Sequence, residues 1–175
     1  MKKFKGQFYK EPVLYISCGI PGSGKSTYLN KVFGPDEIIV SRDKVRFSLL
    51  KEGEAYFSHE NEVFDTFIDD IIYWIKQGNN VYADATHLNR NSRNILIYAL
   101  KAREPELNFR IETIFFDVPI DICLQRNELR KGTKAYVPKS VIRRMYNQMS
   151  KPTQNESHIS HSWIIDKDGN VSKDF

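Results

Sequence analysis

From Val13 to Tyr28 the chain reads Val-Leu-Tyr-Ile-Ser-Cys-Gly-Ile-Pro-Gly-Ser-Gly-Lys-Ser-Thr-Tyr, an order that leaves few folds open. The first six residues are apolar, aromatic or small and suit a buried strand. Three glycines and a proline then forbid continuation as strand or helix, and Lys25 opens a helical pattern. Gly19 to Ser26 fits G-x-x-x-x-G-K-[ST] in the strand–loop–helix setting that gives the pattern its meaning. Glycines let backbone N–H groups wrap a phosphate, and the helix start adds its positive dipole end. Lys25 is expected at the β- and γ-phosphate oxygens and Ser26 on Mg²⁺. Gly19, Pro21, Gly22, Ser23, Gly24, Lys25, Ser26 and Thr27 are therefore the candidate nucleotide-binding residues, with ATP and Mg²⁺ as the implied ligands.

Strand and helix signals alternate after the loop. A short run, Glu37 to Val40, follows Gly34-Pro35, and Phe64, Phe67, Ile68, Ile71, Ile72 and Ile75 recur at helical spacing before Gly78. Val81 to Asp84 reads as a strand, Asn91 to Arg103 as a helix, Phe109 to Phe116 as a strand, and Pro119 opens another helix. This alternation predicts an α/β fold with a parallel sheet sandwiched by helices. Ile159 to Phe175 reads as an edge hairpin turning at Asp168-Gly169.

At 175 residues the chain is expected to form a single domain, with residues 1–11 as an N-terminal extension. No apolar run approaches the roughly 20 residues that span a bilayer, so no membrane role is expected. Met1-Lys-Lys-Phe-Lys precedes an apolar stretch too short for a signal peptide. Cys18 and Cys123 lack metal-ligand spacing, which fits a reduced, cytoplasmic setting, the host cytoplasm if the gene is a phage's. Charge is unevenly placed: from Arg126 to Lys151 eight Lys or Arg face one acidic residue, a segment charge of +7, while the rest is net acidic. Beside a phosphate loop, that segment is expected to meet phosphates.

Two further groups of residues suggest chemistry. Asp84 ends the third strand, where a carboxylate can sit near the metal; capping a turn is its alternative role. Ser41-Arg-Asp-Lys-Val-Arg46 starts where the second strand ends, at the carboxyl edge where substrates sit. Phosphoryl transfer needs a group to orient and deprotonate the attacking hydroxyl, and cations to neutralise the spreading charge. Asp43 and Arg46, three apart on a starting helix, supply both; a helix cap and a surface stripe are the plainer alternatives.

Six blocks, in order, then carry a resemblance. They are Gly19 to Thr27, Ser41 to Arg46, Ala83 to Arg90, Phe115 to Pro119, Arg126 to Pro138 and Val141 to Met149. Together they resemble the kinase domain of the T-even phage type of polynucleotide kinase, from about Pro12 to Pro152. The resemblance implies a P-loop kinase fold with a helical lid, residues 126–151 forming the lid and its flank. It implies ATP-dependent phosphorylation of a 5′-hydroxyl DNA or RNA end, with a nucleic acid ligase as a partner in the same pathway. Asp43 would be the general base, Arg46 would hold the phosphate next to the acceptor sugar, and Arg42 and Thr86 would join the acceptor contacts. A lid arginine, Arg126 or Arg130, would contact the ATP phosphates. This chain departs from the pattern at Lys131, an apparent extra residue competing with Arg130, and at His87, where relatives often carry Asn.

Tyr56, Phe57, Tyr136 and Tyr146 are expected to pack, with base stacking as the alternative. Asp166-Lys-Asp-Gly-Asn170 mimics a phosphatase signature but is expected to be a hairpin turn. The rival functions are a small-metabolite kinase, of the gluconate, nucleotide-sugar or adenylyl sulfate type, and a nucleotide-binding switch. Asp43 with Arg46 speaks against the switch.

Overall fold

The computed structural model describes residues 11–32 and 37–175. The expected N-terminal extension and the Gly34-Pro35 break lie largely or wholly outside the described residues. Strand β1, Val13–Cys18, is buried along its full length and leads through the glycine loop into helix α1, Lys25–Val32. Then come β2, Ile38–Ser41, and α2, Arg42–Leu49, with no residue between them. That abutment turns the first side chains of α2 out at the carboxyl edge of the sheet.

Helix α3, Glu60–Lys76, and strand β3, Val81–Asp84, follow, then α4, Arg90–Arg103, and β4, Arg110–Asp117. Asn89 starts α4 with a reciprocal capping box, its side chain accepting from the Ser92 N–H while Ser92 answers at the Asn89 N–H. Helices α5, Ile120–Glu128, and α6, Lys139–Gln148, form a pair, and β5, Ile159–Asp166, and β6, Val171–Lys173, complete the described elements.

The strands join in the order β2-β3-β1-β4-β5-β6. All neighbours are parallel except β5 and β6. Alternating side chains send Leu14, Ile16 and Ile111 to one face, under Phe67, Ile68, Ile71 and Ile75 of α3 and Leu96, Ile97 and Leu100 of α4. Tyr15, Tyr82, Ile114 and Phe116 go to the other face, against Tyr28, Leu29 and Val32 of α1. Cys123, Leu124 and Ile142 pack the α5–α6 pair onto Ile20 of the glycine loop and Val118.

The α/β sandwich agrees with the strand and helix alternation, with one correction. The final hairpin is not wholly an edge feature: β5 runs parallel to β4 from Ile111↔Ile159 to Asp117↔Asp166, and only β6 lies at the edge. A hairpin signal reports the turn but says nothing about the far side of its first strand. The turn itself is as expected, since Asp166 accepts from the N–H groups of Asp168 and Asn170 and from the Asn170 amide. Among the described residues no helix is long and apolar enough to cross a membrane.

Candidate active site

The glycine loop leaves β1 tied back to the sheet, the Gly19 N–H donating to the Thr86 carbonyl at 2.9 Å. Gly22 and Gly24 have φ of +83° and +91°, a region that side chains avoid. At Gly22 a Cβ would also come within 2.3 Å of the Cys123 carbonyl oxygen, so loop and α5 meet backbone to backbone. Lys25 folds over the loop and donates from Nζ to the carbonyls of Gly19 and Ile20 at 2.8 and 3.0 Å. Burial lowers its pKa to about 8, with Asp84 and Asp43 among the charges opposing the drop. The charge is thus poorly solvated and set to gain from an anion.

Behind Lys25, Ser26 Oγ donates to Asp84 Oδ2 at 2.8 Å. Asp84 is buried, and burial raises its pKa despite the help of Ser26 and Lys25. Its carboxylate thus meets the phosphate-loop hydroxyl. One hydroxyl and one carboxylate are hard oxygen donors, few in number, the set that suits a Mg²⁺ otherwise held by water and phosphate. The residues therefore fit the metal the motif implies.

On α2 three of the charged residues, Arg42, Asp43 and Arg46, are held as a unit. Asp43 is not the cap; Ser41 precedes the helix and Asp43 lies in its first turn. Arg46 Nη1 donates to Asp43 Oδ1, and the Tyr56 hydroxyl donates to the same oxygen at 2.8 Å. Glu60, at the start of α3, accepts from Arg46 Nε at 2.7 Å and from Arg42 Nη2 at 3.1 Å. Arg46 is only 5% exposed. Burial opposes its charge, yet bonds to Glu60 with the nearby Tyr56 and Asp43 outweigh it and raise the Arg46 pKa. Burial and the Asp43 carboxylate push Tyr56 up to about 12, so it stays a neutral donor. Asp43 itself is 65% exposed and open to solvent.

Arg126 lies over the loop, Nη1 reaching the Ser23 carbonyl at 3.5 Å and Nη2 the Lys167 carbonyl at 3.3 Å. With Arg130, Thr27, Tyr28 and the Asp166–Gly169 turn it lines a cavity of about 400 Å³. Loop residues, Asp84 and the two arginines therefore converge, with Asp43 near enough to act on the charges of both Lys25 and Asp84. Thr86 touches the loop through its backbone. His87 is buried with φ +37°, its Nδ1 3.0 Å from the Ser17 carbonyl oxygen, and burial lowers its pKa to about 4.

Glu60 and Tyr56 were not among the site residues read from the sequence. Glu60 carried one usable signal, an acidic residue opening the helix after the Arg-Asp block, but its pairing depends on how α2 and α3 pack. Tyr56 packs edge to face on Phe47 and Phe57, as expected, and its hydroxyl also bonds Asp43, while Phe57 keeps 69% of its surface exposed.

Residues 14–152 match the family model described as an AAA domain. The chain belongs to that family. This AAA-domain chain is 26% identical, over 91% of its length, to a protein of Autographa californica nuclear polyhedrosis virus named for bifunctional polynucleotide kinase/RNA ligase activity. Among solved structures it resembles, at TM-score 0.62 and 26% identity, a chain of the Pnkp1/Rnl/Hen1 RNA repair complex, with 81% of this chain and 45% of that one covered. A sugar kinase from Janibacter matches at TM-score 0.56 and 16% identity, covering 91% and 87% of the two chains, a likeness of fold. The AAA-domain chain spans a quarter of the viral relative and under half of the repair-complex chain. Together with the glycine loop these show an α/β fold of the P-loop kinase type.

Proposed function

We propose that this kinase transfers the γ-phosphate of ATP to the 5′-hydroxyl end of DNA or RNA. The observation that carries the reading is the pair of matches at 26% identity, one to a protein named for polynucleotide kinase and RNA ligase, the other to an RNA repair complex. The sugar-kinase likeness, at 16%, speaks only to fold.

In this reading the glycine loop holds the triphosphate by its N–H groups, and Lys25 leaves its carbonyl partners for the β- and γ-oxygens. Ser26 and Asp84 would hold Mg²⁺, which when bound neutralises charge on the phosphate oxygens. Asp43 orients the 5′-hydroxyl and takes its proton as the O5′–Pγ bond forms and the bond from Pγ to the ADP oxygen breaks. Arg46 and Arg42, fixed by Glu60, hold the acceptor phosphate, and Thr86 joins the acceptor contacts. Arg126 and Arg130 close over ATP from the α5–α6 lid. The kinase domain includes the lid, its flank and the β5–β6 hairpin. The product, a 5′-phosphate end, is what a nucleic acid ligase consumes, and the setting is cytoplasmic.

The test is label transfer from γ-phosphate-labelled ATP to 5′-hydroxyl DNA and RNA oligonucleotides, run beside gluconate and nucleotide-sugar acceptors. Labelled oligonucleotide is the expected product. Transfer confined to a small metabolite would replace this reading with the metabolite-kinase one.

A further inference from the structure

Three aromatic side chains stand open to solvent beside the reaction centre. Phe47 and Tyr56 are each 37% exposed and Phe57 is 69% exposed. They touch edge to face, with ring centroids 6.0 Å apart for Phe47 and Tyr56 and 4.8 Å for Tyr56 and Phe57. The Arg46 guanidinium sits 4.5 Å from the Tyr56 centroid and 5.8 Å from that of Phe57. Such contacts hold flat rings in fixed orientations, and the charge that fixes them is itself held by Glu60. Contiguous exposed aromatic surface is uncommon on a protein unless something covers it.

The order of groups along this surface says what covers it. Asp43 is bonded to the Tyr56 hydroxyl and to Arg46, and the Arg46 guanidinium in turn lies 5.8 Å from the ring of Phe57, the most exposed of the three aromatic residues. A single-stranded nucleic acid end has the same order: a terminal hydroxyl, the phosphate after the first nucleotide, then the base of the second. Bases present a π-face to any aromatic ring whatever their sequence, and a cation beside the ring matches the adjoining phosphate. Resting on the 5′-kinase reading, we propose that Phe57, backed by Tyr56 and Phe47, is a stacking platform for the unpaired base of the acceptor's second nucleotide.

The experiment compares two 5′-hydroxyl oligonucleotides, one intact and one abasic at its second nucleotide, with wild type, Phe57→Ala and Phe57→Trp. On the intact acceptor Phe57→Ala is expected to raise KM about 10-fold, equivalent to about 1.4 kcal/mol, and Phe57→Trp to restore it. On the abasic acceptor the wild type is expected to show the same raised KM, and Phe57→Ala to add nothing to it. A Phe57→Ala penalty equal on both acceptors, or absent from both, overturns the platform while leaving the kinase assignment standing. A wild type that phosphorylates no 5′-hydroxyl nucleic acid overturns the assignment and the platform with it.

Discussion

Ser26 Oγ and Asp84 Oδ2 lie 2.8 Å apart although 58 positions separate them in the chain. Parallel pairing through β1 brings them together: β3 lies beside β1, so the end of one strand faces the loop leaving the other. The pair joins the phosphate loop to the sheet through a buried carboxylate whose pKa burial raises.

A cation at this pair would relieve the strained charge on Asp84, so metal affinity and the ionisation of Asp84 are linked. Asp84→Asn keeps a hydrogen-bonding group for Ser26 and removes the charge. The Mg²⁺ concentration giving half-maximal activity is expected to rise about 10-fold or more, the low end of the effect expected for a metal-site ligand or its partner. A Mg²⁺ titration of kinase activity reads this directly, and curves that superimpose would take Asp84 out of the metal site.

Glu60 gives a second prediction, because it holds both arginines of α2. Glu60→Gln leaves shape and one acceptor oxygen but removes the charge facing Arg46, a nearly buried guanidinium. Glu60 is itself part exposed, so the loss of stability is expected near 1–2 kcal/mol, below the figure for a fully buried pair. Activity should fall more than stability does, by roughly 10-fold, because Arg46 loses its fixed direction. Thermal unfolding and kcat/KM measured on one preparation separate the two, and unchanged kcat/KM would remove Glu60 from the site.

Much of the frame was legible because its signals are local. The strand before Gly19, the glycine loop, the α3 stripe from Phe64 to Ile75 and the turn at Asp168-Gly169 each follow from a few adjacent residues. Position on the page of the sequence also singled out Asp43, Arg46 and Asp84, since strand ends in such a sheet converge on one edge. Glu60 and Tyr56 were not legible. Their partners lie 10 to 18 positions away, across the α2–α3 connection, and no period or motif encodes that packing. The same holds for the buried ion pair of Arg93 with Glu156, 63 positions apart, which anchors the segment after α6 against α4.

His87 supplies a pH prediction. Burial lowers its folded pKa to about 4, from an ordinary value of 6.5. Between those values the unfolded chain binds a proton that the folded protein refuses, so this residue's contribution to stability is full above pH 6.5 and is lost as pH falls toward 4. The slope approaches 1.4 kcal/mol per pH unit within the window. His87→Asn does not titrate there. The difference in unfolding free energy between wild type and His87→Asn is therefore expected to shift in the variant's favour as pH drops from 6.5 to 4.5, and a pH-independent difference would show that His87 is not held neutral.

The sharpest prediction separates a 5′-end kinase from a metabolite kinase built on the same loop. Asp43 is open to solvent with Oδ1 already bonded to Arg46 and Tyr56, which leaves Oδ2 to receive a hydroxyl. If it takes the acceptor proton, Asp43→Asn keeps ATP binding nearly intact while transfer falls by at least ~10²-fold, as for loss of a general base. Arg46 answers a different question. A guanidinium that grips the phosphate next to the acceptor sugar acts only on acceptors carrying one, so Arg46→Ala should impair transfer to a 3′-nucleoside monophosphate far more than to the matching nucleoside. Because Arg46 also holds Tyr56 and Asp43, some loss on the nucleoside is expected, and the ratio of the two losses is the quantity to measure. Equal losses on both acceptors, or robust transfer by Asp43→Asn, would count against phosphate recognition at this helix and move the assignment to a small-molecule acceptor.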